Sequence, residues 1–252
     1  MAFLSQVFHW VTTGANWTGS SGIALRFLRQ VELTVAVVTA AGVLGVGLGL
    51  ALGHRGRGNL VAVNVANALR AVPSLALLTL FAIQPSIGLK GSGFLAAFLA
   101  LVPLALPPIL TNTYTAVRRV DPDTRSAAVA SGMTGLQVVR EVEAPLALPL
   151  IMAGLRTAAV EVVATATLAA YVSFNDLGGY IFAGLSIRDN VETFSGALLV
   201  AVLAGATDLV LAALQVGLTP AGLRHRRQGL VRTLASTVAN RELPLSSGRM
   251  SE

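Results

Sequence analysis

The chain has 252 residues, of which 54% are hydrophobic and only 12% are charged, and its mean hydropathy is +0.71. A soluble domain has about 25% charged residues, and one soluble core cannot bury this much apolar surface, so part of the protein must face lipid. The low charge excludes a disordered chain, and the absence of Cys excludes a disulfide scaffold. The net charge of +6 and the pI near 11.0 also fit nucleic-acid binding until the charges are placed along the chain.

Five apolar runs are long enough to cross a bilayer, which needs about 20 helical residues. In chain order they are residues 33–52, 60–89, 91–117, 144–175 and 193–223. The second and fourth runs are too long for one upright helix, so we expect loop or re-entrant backbone within them. The expected breaks are at prolines, namely Pro73, Pro85, Pro145 and Pro149. The pattern predicts an all-α integral membrane protein with about five transmembrane helices.

Two features inside these runs have more than one interpretation. Gly45 and Gly49 form a small-xxx-small pattern, which marks either a close helix contact or simply the abundance of glycine in membrane helices. Pro103, Pro107 and Pro108 are expected to bend or break the third span, which suits either a gating helix or static packing.

Basic residues cluster on one side of the predicted spans: after span one, between spans three and four, and after span five. They are His54, Arg55, Arg57, Arg118, Arg119, Arg125, Arg140, Arg224, Arg226 and Arg227. The positive-inside rule makes this side cytoplasmic, which puts the N-terminus outside and the C-terminus inside the bacterial cytoplasmic membrane. The whole net charge then lies on the cytoplasmic side. We therefore interpret the basicity as topology and contact with anionic membrane lipid, and we expect no nucleic-acid partner.

The chain divides into three predicted parts. Residues 1–30 form an extracytoplasmic segment, in which Phe3, Leu4, Val7 and Phe8 recur at the spacing of a short interfacial helix. Residues 31–223 form the transmembrane domain. Residues 224–252 form a basic cytoplasmic tail, which we expect to be flexible.

The loop at 118–145 has ordered helix signals. Asp121 is a good N-cap for a helix over residues 122–131, and Gly132 is a natural stop. Thr134 and Gln137 then form a capping-box pattern that begins a second helix.

That second helix is expected to run towards Glu143 and to end at Pro145 and Pro149. Two short helices joined by a glycine predict either a docking element for a soluble partner or an interfacial hairpin without one.

The sequence SerAlaAlaValAlaSerGly at 126–132 resembles the EAA–xxx–Gly loop of ABC-importer permeases. Further stretches carry the same resemblance: AlaValProSerLeuAlaLeuLeu at 71–78, ThrAsnThrTyrThr at 111–115, GlyMetThrGlyLeuGln at 132–137 and GluAlaProLeuAlaLeuProLeuIleMetAlaGlyLeuArgThrAla at 143–158. Together they resemble the permease subunit of osmoprotectant uptake systems for glycine betaine, choline, carnitine and proline betaine. The resemblance covers roughly residues 30–223 and implies a type I ABC importer permease (MetI-like) fold. It departs at Ser126, where the family has glutamate, and at 173–176, where the family has a glycine-rich outer loop.

The resemblance implies three protein partners. These are an ABC ATPase that receives the loop helix, an extracytoplasmic substrate-binding protein, and a second permease subunit, identical or paralogous. It also implies that the ATPase-coupling position is occupied by Ser126, Ala127, Ala128, Gly132 and Met133. Small residues at 127 and 128 suit close approach to a groove, and Gly132 suits a sharp turn.

The chain supplies no ATPase of its own. A phosphate-binding P-loop needs a Gly-Lys step, and the sole lysine, Lys90, follows Leu89. We therefore expect no cofactor in this chain, with ATP used by the partner subunit. A serine-protease interpretation of GlySerSerGly at 19–22 fails because every histidine lies outside the spans, and three scattered His without Cys predict no metal site. The chain is expected not to be an enzyme by itself.

Four charged residues fall within the predicted spans: Arg70, Arg156, Glu161 and Asp208. Charges in a membrane usually face a bundle interior or water. Either Glu161 or Asp208 lines the translocation path and favours a cationic substrate, or the charges pair between helices, as in Arg156 with Asp208. Pairing is the simpler interpretation, because a transporter with a delivery protein needs little affinity in its path.

Two other functions remain open at this level. One is an ABC permease for methionine or another small solute. The other is a channel or structural bundle, which requires that no ATPase partner exists.

Overall fold

The computed structural model describes residues 2–56, 64, 68, 73–84, 87, 93–172 and 174–219. Regular structure in this part of the chain is helical, and we number eight helices in chain order. They are α1 (Ala2–Thr12), α2 (Ile23–Arg55), α3 (Ser74–Ala82), α4 (Phe94–Arg118), α5 (Pro122–Ala130), α6 (Gly135–Val172), α7 (Gly178–Ile187) and α8 (Asn190–Leu218).

Four of these helices are long and apolar enough to cross a membrane: α2, α4, α6 and α8. They correspond to the first, third, fourth and fifth predicted spans with shifted bounds, and α2 begins at Ile23 rather than at 33. Of the second predicted span, the structure describes mainly α3, which begins directly after the extended residue Pro73, as expected. Arg70, Pro85, Lys90 and the predicted tail 224–252 lie outside the described residues.

The core is formed by one face each of α2, α4 and α6. Its buried side chains are Leu33, Val37 and Ala41 from α2, Leu101, Ala105 and Ile109 from α4, and Ala158, Val162 and Ala166 from α6. The small residues among them let the three helix backbones lie close together. Helix α8 packs on α6 and α7, but most of its surface is left open.

Glycines make the contact between α2 and α4 unusually close. A Cβ atom on Gly45 would lie 2.9 Å from Ile109 Cγ2, and one on Gly49 would lie 2.6 Å from Thr113 Cβ. Gly53 continues the seam against Val117. Of the two interpretations of the small-xxx-small pattern, the structure therefore selects the close helix contact.

The prolines of the third span do not break it. Helix α4 is continuous from Phe94 to Arg118 with Pro103, Pro107 and Pro108 inside it. Pro107 and Pro108 are buried among neighbouring helices. In a membrane protein a helix can continue through a proline, because neighbouring helices and side chains satisfy the backbone carbonyl groups that the proline leaves without a donor.

The prediction that Pro145 and Pro149 break the fourth span is wrong. Helix α6 runs through both, with a π-helical segment at Val138–Glu143 before them and α-helix over Ala144–Ala166. Pro145 directly follows the π-helical segment, where the hydrogen-bond pattern changes to that of the α-helix. The regular helix instead ends at Ala166, followed by a 3₁₀ stretch over Thr167–Val172.

The predicted N-terminal helix is confirmed as α1, and it packs against its own chain. Val7 is only 3% exposed. Phe3 meets Phe194 of α8 edge-on at 5.5 Å between ring centroids, and Trp10 meets Tyr180 of α7 at 5.1 Å. Aromatic contacts of this geometry attach α1 to α7 and α8.

The glycine seam predicts a sharp contrast between two substitutions in one helix. Gly49→Val forces a branched side chain into the Thr113 contact and is expected to destabilise the protein by about 1–3 kcal/mol, as overpacking does. Gly47→Val is the matched control, because nothing lies within 4 Å of a Cβ there. Thermal unfolding of the detergent-solubilised protein should show a lower midpoint for Gly49→Val alone. Equal midpoints for the two variants would contradict the close contact.

Candidate coupling loop and membrane concavity

The loop between α4 and α6 has the predicted helix boundaries. Asp121 Oδ1 accepts a hydrogen bond from the Asp123 N–H at 2.9 Å, and α5 then runs from Pro122 to Ala130. Gly132 follows with a φ of +86°, a left-handed conformation that favours glycine. The N-cap and the glycine stop are therefore confirmed.

The predicted capping box is also present at the start of α6. The Thr134 N–H donates to Gln137 Oε1 at 2.8 Å, and the Thr134 side chain accepts a hydrogen bond from the Gln137 N–H. Two backbone donors that a helix start leaves unpaired are thereby satisfied. The loop is an ordered helix–glycine–helix, which sets how α5 is presented.

The expected coupling residues do not all face the same way. Ser126, Ala127 and Gly132 are exposed, and Met133 is half-buried. Ala128 is only 8% exposed, because α5 turns this residue towards its own chain. Ala127 is therefore open to a partner, whereas Ala128 packs inward.

Sequence reasoning missed two exposed apolar side chains in the loop. Val129 on α5 is 60% exposed, and Leu136 in the first turn of α6 is 61% exposed. The available signal was that Val129 and Leu136 lie among small and polar neighbours at 126–137, a stretch in which Met133 is the other large apolar residue. They give the loop apolar surface that a soluble partner can bury.

Sequence reasoning also missed a buried carboxylate behind the loop. Glu143, at the end of the π-helical segment, is fully buried. Its Oε1 lies 2.7 Å from Arg125 Nε of α5, and its Oε2 lies 3.0 Å from His54 Nδ1 at the end of α2. This cluster of Glu143, Arg125 and His54 connects the loop to the spanning helices.

A second feature is an open concavity of about 1080 Å³ beside α6 and α8. All three charged residues of the predicted spans that the structure describes line it, namely Arg156, Glu161 and Asp208. The rest of its surface is apolar or small, including Leu104 and Gly205. The structure thus places the predicted charges around one space, while Arg70 lies outside the described residues.

Arg156 and Asp208 form a two-pronged ion pair across the concavity. Arg156 Nε donates to Asp208 Oδ1 at 2.9 Å, and Arg156 Nη2 donates to Asp208 Oδ2 at 2.8 Å. Arg156 Nη1 also donates to Gln215 Oε1 at 3.1 Å, and Gln215 Nε2 donates to the Pro149 carbonyl at 2.8 Å. This planar arrangement links α6 to α8 and occupies the carboxylate of Asp208.

Glu161 differs from Asp208 although both line the same concavity. Among the residues that the structure describes, the Glu161 carboxylate has no hydrogen-bond or ion-pair partner. It is half-buried rather than fully exposed. Within the described part of the chain, Glu161 is therefore the acidic residue at the wall of the concavity that is not paired with a basic one.

The loop before α7 is fastened to the start of α2. Gln30 Nε2 donates to the Val163 carbonyl at 2.9 Å, and Gln30 Oε1 accepts from the Leu177 N–H at 3.1 Å. Asn175 Nδ2 donates to the Ser20 carbonyl at 2.8 Å. The described part of the segment that departs from the osmoprotectant pattern is thus held by contacts to α2 and to the residues before it.

Asp176, in the same loop, is a buried acid. Burial raises the pKa of its carboxyl to about 7, although the backbone N–H groups of Gly178 and Gly179 and the charge of Arg26 favour the ionised form. Arg26 also lies over the ring of Tyr180, with its Cζ 4.1 Å from the ring centroid. Arg26 Nη1 donates a hydrogen bond to the Asp176 carbonyl at 3.3 Å, and this bond and the cation–π contact together keep the loop against α2.

The sequence that forms the spanning helices and the loop between α4 and α6 matches a known protein family. The family described as "Binding-protein-dependent transport system inner membrane component" matches residues 43–221. The chain belongs to this family. It is a multi-pass inner-membrane protein and the permease component of an ABC import system.

Relatives with similar sequences are named as permeases for choline, osmoprotectants or carnitine. The choline transport system permease protein OpuBB of Bacillus subtilis is 34% identical over 211 residues, which are 84% of this chain and 95% of that protein. The osmoprotectant import permease protein OsmW of Salmonella typhimurium is 36% identical over 220 residues, 87% of this chain and 100% of that protein. The carnitine transport permease protein OpuCB of Listeria monocytogenes is 40% identical over 167 residues, 66% of this chain and 74% of that protein.

Solved structures of ABC transporters have a similar fold. A chain of the MetNI methionine ABC transporter in an inward-facing conformation has a TM-score of 0.61 at 22% identity, covering 77% of this chain and 96% of that one. An amino acid ABC transporter with histidines has a TM-score of 0.59 at 23% identity, covering 89% of this chain and 98% of that one. The predicted type I, MetI-like fold is confirmed.

The turn at Gly132 makes a testable distinction between side chains. Gly132→Val places a β-branched residue at positive φ and is expected to loosen the loop by about 1–2 kcal/mol. Gly132→Asn is the matched control, because Asn tolerates this conformation and nothing lies within 4 Å of a Cβ there. Limited trypsin digestion should cut the loop faster at Arg125 and Arg140 only in Gly132→Val. Equal cleavage of both variants would show that backbone strain at 132 does not control the loop.

Proposed function

We propose that this chain is the permease subunit of an ATP-driven importer that translocates quaternary-ammonium osmoprotectants such as glycine betaine, choline, carnitine or proline betaine. The observation that carries the substrate class is the match to choline, carnitine and osmoprotectant permeases across nearly their whole length. The alternative substrate is methionine or another small solute, and it draws only on fold similarity at 22% identity.

The proposed complex has an ABC ATPase, an extracytoplasmic substrate-binding protein and a second permease subunit, identical or paralogous. ATP is bound and hydrolysed by the ATPase, and this chain contributes no cofactor and no catalytic group. The ATPase receives α5 and the turn after it, with Ser126, Ala127 and Gly132 at the contact and Ala128 and Met133 supporting it. The exposed Val129 supports this assignment, because a partner buries its apolar surface.

The proposed orientation places α5 in the cytoplasm and the N-terminus outside. The support is the basic residues at the α2 end, in the α4–α6 loop and after α8, which the positive-inside rule assigns to the cytoplasm. Helix α1 then lies at the outer face with exposed Leu4 and Phe8 available to lipid.

Within the concavity we assign recognition of the ammonium group to Glu161 rather than to Asp208. The Asp208 carboxylate already holds Arg156 through two hydrogen bonds, so that pair adds no net charge. Glu161 faces the same space without such a partner among the described residues. A single negative charge in the path favours passage of a cation while binding it weakly, which suits a transporter whose delivery protein provides affinity.

The proposed function is tested by uptake into proteoliposomes that contain the whole complex. Radiolabelled glycine betaine, choline, carnitine and methionine are compared with and without ATP inside. The expected result is ATP-dependent uptake of at least one quaternary amine in preference to methionine. ATP-independent flux would overturn the importer, and preference for methionine would overturn the substrate class.

Charge at residue 161 gives a separate prediction within that assay. Glu161→Gln is expected to lower choline uptake at low concentration by about fivefold, the equivalent of about 1 kcal/mol of charge attraction, and zwitterionic glycine betaine less. Asp208→Asn is the contrasting variant, because it breaks the Arg156 pair and is expected to reduce the amount of assembled complex instead. Unchanged selectivity between choline and glycine betaine in Glu161→Gln would remove Glu161 from the path.

A further inference from the structure

The cluster behind the coupling loop joins four separate helices at one carboxylate. Glu143 lies in α6, Arg125 in α5 and His54 at the end of α2. Arg125 Nη2 also donates a hydrogen bond to the carbonyl of Val117, near the end of α4. Helices α2, α4, α5 and α6 therefore meet at this cluster.

Because the Glu143 carboxylate is buried, it requires the partners Arg125 and His54. Its side chain is 0% exposed, whereas those of Arg125 and His54 are 21% and 33% exposed. A buried carboxylate without partners is strongly unfavourable, so α5 and α2 must stay where they can supply them. Glu143 thereby constrains helices that are 18 and 89 residues away in the chain.

Helix α5 has few other attachments to the bundle. Ala128 is its one buried residue within the described structure, and its remaining residues are exposed or half-buried. Apolar burial of a single Ala is a small contribution. The Arg125 contacts with Glu143 and with the Val117 carbonyl are therefore the main polar attachments of α5 to the core.

The π-helical segment sets the direction in which Glu143 points. An extra residue in one helical turn rotates everything after it by about 100°. Val138–Glu143 contains such a widened turn, and Glu143 is its last residue. Immediately beyond it, Ala147 and Ile151 pack on Ala116 and Val117 of α4, so the carboxylate lies at the edge of a buried apolar layer.

We propose that Glu143 is a positioning residue for energy coupling: it joins α5 to α2, α4 and α6, so that a displacement of α5 by the ATPase moves the core as one piece. This inference rests on the proposed function, because it gives the coupling loop its mechanical connection to the spanning helices. Glu143 touches neither ATP nor substrate in this role, and it acts through Arg125 and His54.

The first test compares Glu143→Gln with Glu141→Gln in the assembled complex. Gln keeps the size of the side chain and removes its charge, while Glu141 is an exposed glutamate in the same π-helical segment and serves as the matched control. Amide hydrogen exchange of residues 122–130 should become about tenfold faster in Glu143→Gln, because the ion pair between Arg125 and Glu143 is lost, and should not change in Glu141→Gln. Unchanged exchange in Glu143→Gln would overturn the joint.

The second test measures ATP hydrolysed per substrate molecule transported in proteoliposomes. Glu143→Gln is expected to raise this ratio several-fold, while the amount of assembled complex stays near that of the unsubstituted protein. If amide exchange shows that α5 is loosened in Glu143→Gln but the number of ATP molecules hydrolysed per substrate transported is unchanged, the positioning role is overturned. Absence of ATP-dependent uptake in the unsubstituted complex would instead contradict the proposed function, and the exchange measurement would still decide the joint.

A third variant covers the case in which Glu143→Gln fails to fold. Arg125→Gln releases α5 but leaves Glu143 its contact with His54. In the double variant Arg125→Gln/Glu143→Gln, amide exchange at α5 should be no faster than in the faster of the two single variants. The reason is that both substitutions remove the same ion pair between Arg125 and Glu143. Additive effects of the two substitutions, or wild-type exchange in Arg125→Gln, would overturn the proposal.

Discussion

The close approach of α2 to α4 is the constraint on which the rest of the protein depends. In a bilayer the lipid is as apolar as the side chains, so helices associate through close packing rather than through the hydrophobic effect. Gly45, Gly49 and Gly53 remove side-chain bulk along one line of α2, and Ile109, Thr113 and Val117 of α4 fill the space. The seam extends to the last turn of α2, which places His54 beside the buried Glu143. The position of the coupling loop follows from this helix packing.

The two polar sites of the protein use opposite physical means. Where α2, α5 and α6 meet, the fully buried carboxylate of Glu143 requires partners and so fixes the loop to the core. In the concavity, the exposed faces of α6 and α8 carry a balanced Arg156–Asp208 pair and an unbalanced Glu161. The first arrangement suits transmission of a displacement, because it is rigid. The second fits the proposed role of Glu161 in the passage of a cation, because an open wall with one carboxylate attracts the ion without enclosing it.

Local signals in the sequence predicted the coupling loop well, whereas rules taken from soluble helices failed. Asp121 caps the start of α5, Gly132 ends that helix and Thr134 caps the start of α6. Each acts on its immediate neighbours, so its role could be predicted from a few residues. Pro145 and Pro149 were expected to break a helix and do not, because tertiary packing and the lack of water preserve it. The all-helical class and the approximate positions of four apolar spans followed from composition and run length, whereas the start of α2 at Ile23 did not.

The functional contacts between distant residues could not be predicted with the same certainty. The Arg156–Asp208 pair was one of two interpretations, since sequence shows which charges lie in spans but not which helix faces meet. The Glu143 cluster was missed, because its geometry depends on a π-helical turn and on the end of a helix 89 residues away. The exposed Val129 was missed because a short loop helix has no clear apolar period.

The central claim is that the coupling loop and the α2–α4–α6 core move as one body. The chain has no Cys, so two cysteines can be introduced into one permease as the only labelling sites, Ala51→Cys on α2 and Ser131→Cys after α5. Both positions are exposed, and each carries one spin label. The distance between the two labels within one permease is measured in the assembled complex, first without nucleotide and then with the ATPase trapped during hydrolysis. The account predicts the same narrow distance distribution in both states, while the distance between Ser131 labels on two permease subunits changes. A shift or broadening of the distance within one subunit would contradict it.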